Sequence, residues 1–476
     1  MDEQLAFASA AELLQLLTTK KISPVELTQL YFERIERLDP QLNSFLLVTY
    51  DVALEHAKAA EEAIVHGDEL GPLHGLPIAF KDTHMTKGIR TTNGSVVYKD
   101  RVPEKDAAVV ERLLGAGAVM LGKTNVPEFA MVGTCENSLG ILGRNPWNTE
   151  RTPGGSSGGS AAALAACLCP LATGSDGGGS LRIPAHFCGI YTIKPTHGRV
   201  SAYTGLPGAR MPYIFAQNGP LSRTVLDSAL MLQVMAGHDR RDPASLRQPP
   251  PDFVSALEKP IEGLRIGWNS DFGFAHVDSD VVEVTSSAVH VFEELKCHVE
   301  ECDISISEPY DVFGTIQAAD SHTNLGHFLP EYGDRMTEFA RFFIEQGAKV
   351  TTQQYAQALG QVELLKAQFT DLFEQYDLLM TPTACFAAFP NEKFPGSIRH
   401  DSTYPEQFWN GAFTLPINTI GHPAANVPAG FSLDGLPIGL HIVGRKGDEE
   451  TVLAASAAFE RVRPWTQHRP PMCVKK

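Results

Sequence analysis

The amino-acid sequence predicts an α/β fold in which helices cover both faces of a β-sheet. Short apolar runs alternate with helical patterns over most of the chain. The apolar runs are of the kind found in strands that are buried on both faces. With 476 residues, of which 43% are hydrophobic and 20% charged, the chain has the composition of a globular protein with a large core.

The N-terminal third is predicted to begin with helices. The segments SAAE at 9–12 and SPVE at 23–26 both match the capping box, in which serine and glutamate bind the free amides of a first helical turn. The second segment also has proline at the first helical position, where its missing N–H costs nothing. A third helix is expected over 51–65.

After residue 66 the pattern changes to apolar runs separated by helical stretches. The predicted strands are 76–80, 119–121, 171–173, 191–193, 264–268, 378–380 and 440–443. The predicted helices are 107–114, 159–168, 224–235, 280–295, 355–373 and 450–462. The charged and proline-rich segment 238–253 is typical of a linker.

Charge and composition exclude several classes of function. A net charge of −17 disfavours binding to nucleic acid or to an anionic membrane surface, because both attract basic proteins. The N-terminus lacks a secretory signal pattern and no apolar run reaches the roughly 18 residues of a membrane span, so a cytoplasmic protein is expected. Paired CxxC and HExxH motifs are also missing from the sequence, and we expect neither a metal nor a cofactor.

Three consecutive glycines precede a serine in the stretch ATGSDGGGSLRIP, residues 172–184. Such a run is either a flexible linker or a place where the backbone closely approaches a ligand. Apolar segments on both sides and few charges disfavour the linker. Successive backbone N–H groups without side chains form oxyanion holes, and Ser180 follows them in the position of a nucleophile.

Two further motifs carry candidate chemistry. Residues 154–158 read GGSSG and match the GxSxG pattern, so Ser156 could be the nucleophile of an α/β-hydrolase. The polar, proline-containing segment before it is a poor strand, which disfavours that alternative, and a phosphate-binding P-loop lacks its Gly-Lys-Ser/Thr ending. Lys81 ends the apolar run GLPIAFKD and is expected to be partly buried, as a base for serine chemistry would need to be.

The three motifs GLPIAFKD, GGSSGGS and GSDGGGSLRIPA, in this order, resemble the amidase signature family of serine hydrolases. The resemblance extends through KTNVPEFAM at 123–131 and CGIYTIKPTHGRVS at 188–201, and resumes near the C-terminus. It implies one large amidase-signature domain over 1–476, with a twisted mixed sheet between two helical layers. Its expected parts are an N-terminal helical region at 1–66, a catalytic signature core at 67–237, a variable substrate-pocket region at 238–410 and C-terminal core strands with a helix at 411–476.

The same resemblance assigns roles to individual residues. It implies that Ser180 is the nucleophile, Ser156 the bridging serine and Lys81 the general base, with a cis peptide bond before Ser156. The oxyanion donors would be the backbone N–H groups of Gly177, Gly178, Gly179 and Ser180. Supporting residues would be Ser157, Asp176 and Arg182, and the residues expected near the substrate pocket are Met131, Cys135, Arg210 and Tyr213.

One position departs from the family pattern. The family usually has threonine or isoleucine where this chain has Gly177, which implies a looser loop or a wider acyl pocket. A neutral Lys81 at pH 7 requires burial, because an unperturbed lysine has a pKa of about 10.4. A partly wet lysine would titrate higher, so activity is expected to rise toward alkaline pH.

The expected function is hydrolysis of a small-molecule carboxylic amide, with esters and carbamates also open as substrates. The alternative is the amidase (A-type) subunit of an aminoacyl-tRNA amidotransferase complex. Where that subunit typically has a motif like SSLDQIGP, this chain has ARMPYIFAQNGP at 209–220, which favours the free-standing hydrolase. A non-catalytic binding module with the same fold is disfavoured by the three intact catalytic positions. The natural substrate, partner subunits and the oligomeric state, including a homodimer, stay open.

Overall fold

A computed structural model describes residues 3–206, 214–391 and 411–473. Within these residues the strands form one mixed sheet of 11 strands. The strands are β1 (Phe45–Val48), β2 (Pro77–Lys81), β3 (Val119–Thr124), β4 (Leu171–Asp176), β5 (Tyr191–Lys194), β6 (Gln217–Ser222), β7 (Arg265–Trp268), β8 (His298–Glu301), β9 (Leu378–Pro382), β10 (Ala424–Phe431) and β11 (Pro437–Gly444). Their order across the sheet is β1-β3-β2-β4-β6-β5-β10-β11-β9-β7-β8.

Parallel and antiparallel pairs both occur in this sheet. Strand β2 lies between β3 and β4 and is parallel to both, with Ile78 opposite Leu171 and Ala79 opposite Ala172. Strand β4 pairs antiparallel with β6, placing Asp176 opposite Gln217. The C-terminal strands β10 and β11 occupy the middle of the sheet, between β5 and β9. Lys81 and Asp176 are therefore the last residues of two neighbouring parallel strands.

Helices account for most of the remaining regular structure. They are α1 (Ala10–Thr18), α2 (Pro24–Leu42), α3 (Tyr50–His66), α4 (Ala108–Gly115), α5 (Gly158–Ala165), α6 (Arg182–Cys188), α7 (Val225–Met235), α8 (Ser279–Glu294), α9 (Tyr310–Leu325), α10 (Leu329–Tyr332), α11 (Glu338–Gly347), α12 (Thr352–Gln375), α13 (Thr414–Ile420) and α14 (Glu449–Val462). None of the helices in the described parts of the chain is long and apolar enough to cross a membrane.

The sequence-based element predictions are largely confirmed. Both capping boxes form, because Ser9 and Ser23 each accept from the amide three residues on, and the glutamate there accepts from the serine amide. All seven predicted strands and all nine predicted helices are present, most within a residue or two at each end. The linker-like segment 238–253 is irregular but lies against the protein, since Leu246 donates to the Gly198 carbonyl and Phe253 is fully buried.

Helices cover both faces of the sheet, as predicted. Alternate residues of β11 point to opposite faces. On one face Leu440 and Ile442 belong to a hydrophobic cluster that includes Val452 and Leu453 of α14. On the other face His441 contacts Arg182 of α6 (2.9 Å). The sheet is thus buried between α14 on one face and α6 on the other, and the candidate site lies on the α6 side.

Candidate active site

Lys81 ends strand β2 in the interior of the protein. Its side chain is fully buried, and so is every other residue of β2. The Nζ atom lies 2.7 Å from Oγ of Ser156 and 2.9 Å from Oγ of both Ser157 and Ser175. Burial lowers the pKa of Lys81 from 10.5 to about 7, against the opposing effect of the Asp176 charge. A large share of Lys81 is therefore neutral near pH 7 and able to accept a proton.

Ser156 and Ser157 lie in the loop that leads into helix α5. The Gly155–Ser156 peptide bond is cis, which confirms the expectation. A side chain at position 155 would meet the carbonyl oxygen of Thr134 at 1.8 Å, so only glycine fits there. The Ser157 amide donates to the carbonyl oxygen of Ser180 (3.2 Å), and this bond joins the two serine-bearing loops.

The chain before Ser156 lacks the strand that a nucleophile elbow requires. Between β3 and α5 it contains a short 3-10 helix, Glu128–Ala130, and otherwise turns and isolated bridges. The GxSxG match at 154–158 is therefore not an α/β-hydrolase elbow.

The glycine run forms a tight connection between β4 and α6. Ser180 is half-buried, and its hydroxyl makes no hydrogen bond to the described residues. The backbone N–H groups of Gly177, Gly178 and Ser180 likewise donate to no acceptor in the described chain, whereas the Gly179 N–H donates to Oδ1 of Asp176 (2.6 Å). Three of the four expected oxyanion donors are thus available, and the fourth braces its own loop.

The loop is held by a buried ion pair between Asp176 and Arg182. Arg182 donates from Nε to Oδ2 (2.9 Å) and from Nη2 to Oδ1 (3.1 Å), and neither side chain is exposed. Burial by itself would raise the pKa of Asp176, but the charge and hydrogen bonds of Arg182 outweigh it and hold the pKa below its usual value. Asp176 also accepts from the Gly179 and Leu181 amides, so the carboxylate fixes both ends of the turn.

Residues from helix α13 and strand β11, in the second half of the chain, also hold Arg182 in place. Arg182 donates to the Asn418 side-chain oxygen and to the Thr414 carbonyl of helix α13, and Nη1 lies 2.9 Å from Nε2 of His441. Burial and the Arg182 charge lower the pKa of His441 well below its usual value, so this histidine is neutral. Asn418 donates in turn to the Asp176 carbonyl (2.8 Å). Sequence reasoning missed this shell, because nothing local links helix α13 and strand β11 to the glycine run.

Two of the glycines have a packing role that the sequence did not indicate. A side chain at Gly178 would meet Leu415 at 2.6 Å and Phe313 at 3.0 Å. Gly179 has φ +126°, and a side chain there would meet Oγ1 of Thr414 at 2.3 Å. The close approach of the backbone to a ligand is thus not the only reason for these glycines. Close packing against α9 and α13 also requires the second and third.

Ser175 is a site residue that sequence reasoning missed. Its Oγ is 2.9 Å from Lys81 Nζ, and its carbonyl accepts from the Ser157 hydroxyl (3.2 Å). Thr173, on the same face of β4, accepts from the Lys81 amide (2.8 Å). Strand alternation would have placed positions 173 and 175 on one face, but the predicted strand ended at residue 173.

Two of the predicted pocket residues, Met131 and Cys135, have buried side chains. Met131 is buried in a hydrophobic cluster that also contains Phe215 and Phe313. Cys135 is buried beneath the start of α5, where a side chain at Gly158 would meet its Cβ at 2.9 Å. A substrate contact by either residue stays a prediction. Arg210 and Tyr213 lie outside the described residues.

Within the described ranges, no group of three or more His, Cys, Asp and Glu side chains could hold a metal ion. The arrangement at the glycine loop is instead one of hydroxyls, a buried amine and free backbone N–H groups. These are the components of nucleophilic catalysis with a proton-accepting base and an oxyanion hole.

The chain is similar to known proteins over nearly its whole length. A family model described as Amidase matches residues 26–453. The chain is 39% identical to the A subunit of the glutamyl-tRNA(Gln) amidotransferase from Moorella thermoacetica, over 99% of this chain and 100% of that protein.

Solved structures of similar fold include small-molecule enzymes. A bacterial aryl acylamidase of the amidase signature family superposes with a TM-score of 0.88 at 34% identity, covering 97% of each chain. The A subunit of the glutamyl-tRNA(Gln) amidotransferase from Thermotoga maritima superposes with a TM-score of 0.79 at 30% identity, covering 98% of each chain.

Proposed function

Since the chain belongs to the amidase signature family, whose members are amidohydrolases acting on C–N bonds, we propose that it cleaves carboxamides through an acyl-enzyme on Ser180. The observation that carries the proposal is the fully buried Lys81 amine, 2.7 Å from Ser156 and beside the glycine loop that ends at Ser180. A buried amine without a carboxylate in direct contact is costly, and a base for serine chemistry is a reason to keep one.

The proposed first step is attack by Ser180 on the amide carbonyl carbon. Neutral Lys81 takes the Ser156 proton as Ser156 takes the Ser180 proton, and the Ser180 oxygen forms a bond to carbon. The pKa of about 7 supports this role, because it leaves a substantial neutral fraction at physiological pH. The bond between the Ser157 amide and the Ser180 carbonyl supports the alignment of the two loops.

The negative charge that develops on the carbonyl oxygen needs donors that are already in place. We assign this role to the N–H groups of Gly177, Gly178 and Ser180, which have no other acceptor among the described residues. Loss of one such donor typically reduces the rate by about 10²–10³-fold. The Gly179 N–H is reserved for Asp176 in this proposal.

Collapse of the tetrahedral intermediate completes the acylation. The proton on Lys81 returns through Ser156 to the amide nitrogen, the C–N bond breaks and the amine leaves. Water then attacks the Ser180 ester with the same groups acting as base, and the carboxylic acid is released.

This chemistry could serve either in an amidotransferase complex or in a free-standing hydrolase, two settings that differ in substrate. The sequence comparison supports the amidotransferase setting better than the free-standing hydrolase that segment 209–220 favoured, because the amidotransferase protein of Moorella thermoacetica is 39% identical along its full length. In that setting the amide would be hydrolysed for its ammonia, within a complex acting on aminoacyl-tRNA.

A specific observation favours a small-molecule amide instead. Among the described residues, the side chains nearest to Gly177, Gly178 and Gly179 are Ala216, Leu415, Phe313, Thr414 and Ile183, and all of them are uncharged. A free glutamine substrate would present an ammonium and a carboxylate that need partners of opposite charge. The higher TM-score with the aryl acylamidase supports the same candidate.

The test begins with a fluorophosphonate probe, which labels an activated serine. We expect labelling of the wild-type protein and none of Ser180→Ala. The control is Ser160→Ala, which removes a buried serine of helix α5, and this variant should be labelled normally. Absence of labelling in the wild type would disprove the acyl-enzyme proposal and favour a binding module.

Substrate assays then separate the two settings. Ammonia release from glutamine, and copurification with two partner subunits when all three are expressed together, would establish the amidotransferase setting. Release of amine from small amides by the isolated chain, without glutaminase activity, would establish the free-standing hydrolase.

A further inference from the structure

One strip of the sheet beside the glycine loop is open to solvent. In β6 and the residue before it, Phe215 and Gln217 are buried, whereas Ala216 and Asn218 are half-buried. Ser175 in the neighbouring strand β4 and Gly177 just after that strand are also half-buried. Ser175 pairs with Asn218 across β4 and β6, and, just beyond the strand ends, a side chain at Gly177 would lie 4.0 Å from Cβ of Ala216, so the four positions are neighbours.

Gly177 has more free space around it than Gly178 or Gly179. Among the described residues, a side chain at 177 would have one atom within 4 Å, Cβ of Ala216 at 4.0 Å, which is an ordinary contact distance. The backbone at 177 lies outside the left-handed region, so other residues fit its conformation. Gly178 and Gly179 are both closely packed, so neither has room for a side chain. Gly179 also has a left-handed backbone conformation, which favours glycine.

The space lies on the side of the proton relay. Ser175 and Gly177 are both half-buried, whereas Asp176 between them is buried, and the Ser175 hydroxyl is 2.9 Å from Lys81 Nζ. The opposite side of the loop is closed, since Phe313 and Leu415 pack on Gly178 and Phe215 stacks on Phe313 with ring centroids 5.6 Å apart. In the mechanism above, the group that receives the proton from Lys81 is the leaving amine. The open side is therefore the side of the amine, not of the acyl group.

We propose that the space beside Gly177 receives the substituent on the leaving nitrogen, so that the site accepts amides of bulky amines such as anilides. This inference rests on the proposed acyl-enzyme chemistry and names its substrate class. It also replaces the expectation of a wider acyl pocket, since the apolar wall of Phe313 and Leu415 limits the acyl side. Position 177 is thus a specificity-determining residue for the amine.

The experiment compares two amides with the same acyl group, acetanilide and acetamide, and a third with a larger acyl group, benzamide. In Ala216→Val the larger side chain fills the space without changing a proposed oxyanion donor, and we expect kcat/KM for acetanilide to fall roughly 10-fold or more while kcat/KM for acetamide changes less than about 3-fold. Gly177→Val fills the same space from the other side, but position 177 also supplies a proposed oxyanion N–H. It should therefore lower both rates, and lower the rate for acetanilide more.

A control separates local filling from general damage. Gly115 ends helix α4, has free space around it and an ordinary backbone conformation, so Gly115→Val should leave all three rates unchanged. Equal losses on acetanilide and acetamide in Ala216→Val would overturn the inference, because filling the space would then not discriminate between the two amines. A loss confined to benzamide would overturn it as well, because the space would then belong to the acyl group.

Failure of the proposed function gives a different result. A wild-type protein that is not labelled at Ser180 and releases no amine from any of the three amides would reject the chemistry itself. A labelled wild type that hydrolyses acetamide but not acetanilide would retain the chemistry and reject only the assignment of the space.

Discussion

Nζ of Lys81 and Oγ of Ser156 lie 2.7 Å apart, although the two residues are 75 positions apart in the chain. Both side chains are almost completely buried, with 0% and 1% exposure. Water therefore does not compete for this contact, and the protonation state of the lysine depends on the protein around it. This pair determines how activity and stability should respond to pH and to substitution.

The rate should follow the deprotonation of Lys81. With a pKa of about 7, the neutral fraction increases tenfold per pH unit below that value and saturates above it. We therefore expect kcat/KM to rise with pH, with a midpoint near 7, and to level off in the alkaline range. A pH–rate profile with a neutral substrate measures this. A midpoint near 10 would show that the lysine is solvated and would contradict the buried site.

Ser175 should tune that midpoint. Its hydroxyl oxygen can accept from the protonated amine, and a hydrogen bond to the charged form raises the pKa of a lysine. In Ser175→Ala we expect the midpoint to move to lower pH by roughly 1 unit, with only a modest loss of kcat.

Ser160→Ala is the matched control for this measurement. Ser160 is also a buried serine, but its hydroxyl donates to the Thr173 carbonyl and not to Lys81. Its profile should coincide with that of the wild type. The same midpoint in the wild type, Ser175→Ala and Ser160→Ala would show that Ser175 does not influence the pKa of Lys81.

Lys81 should reduce the stability of the folded protein. Its pKa is about 7 when folded, whereas the unfolded chain has the ordinary value of 10.5, so the unfolded state binds more protons between these values. Stability therefore rises with pH across this window, and the penalty of about 5 kcal/mol is largest near or below pH 7. Lys81→Met should raise the free energy of unfolding at pH 7 by roughly 2–4 kcal/mol, less than the full penalty because the serine hydroxyls lose a partner.

Urea denaturation at several pH values checks this expectation. The advantage of Lys81→Met should shrink as the pH rises from 7 toward 10. A variant that is less stable than the wild type at every pH would mean that the amine stabilises the fold.

The buried pair of Arg182 and Asp176 should matter far more than a surface pair. Arg182→Met leaves a buried carboxylate without its cation, which typically costs about 3–5 kcal/mol. Arg241 also pairs with two carboxylates, those of Glu111 and Asp239, but its side chain is 38% exposed. Arg241→Met should cost at most about 1 kcal/mol.

Thermal denaturation and fluorophosphonate labelling report on the two effects. Arg182→Met should lower Tm and slow labelling of Ser180, since the loop loses its brace. Arg241→Met should change neither by much. Normal labelling in a destabilised Arg182→Met protein would show that Arg182 supports the fold but not the loop geometry.

Local sequence patterns were sufficient for the buried strands and for the capped helices. They missed strand β6, whose sequence QNGPLS contains glycine and proline, and strand β10, where Pro428 lies at an irregularity in the pairing. They also missed the edge strand β8, because HVEE is mostly exposed and has no apolar run. In these cases pairing with neighbouring strands decided the structure.

The candidate catalytic residues were easier to predict from the sequence than the residues that hold them in place. The apolar run before Lys81 indicated its burial, and the glycines before Ser180 indicated free N–H groups. Asn418 and His441 could not be found in this way, since they reach Arg182 from positions more than 230 residues later in the chain. The reason for Gly178 and Gly179 likewise required the positions of Phe313, Leu415 and Thr414.

The central place of β10 and β11 has a consequence for how the enzyme matures. These strands follow the other nine in the chain but join β5 to β9, and Asn418 and His441 reach the glycine loop only when this segment has docked. A nascent chain that has not yet folded this segment therefore has an incomplete sheet and an unbraced glycine loop. Under the proposed chemistry, a chain terminated before helix α13 is expected to be inert.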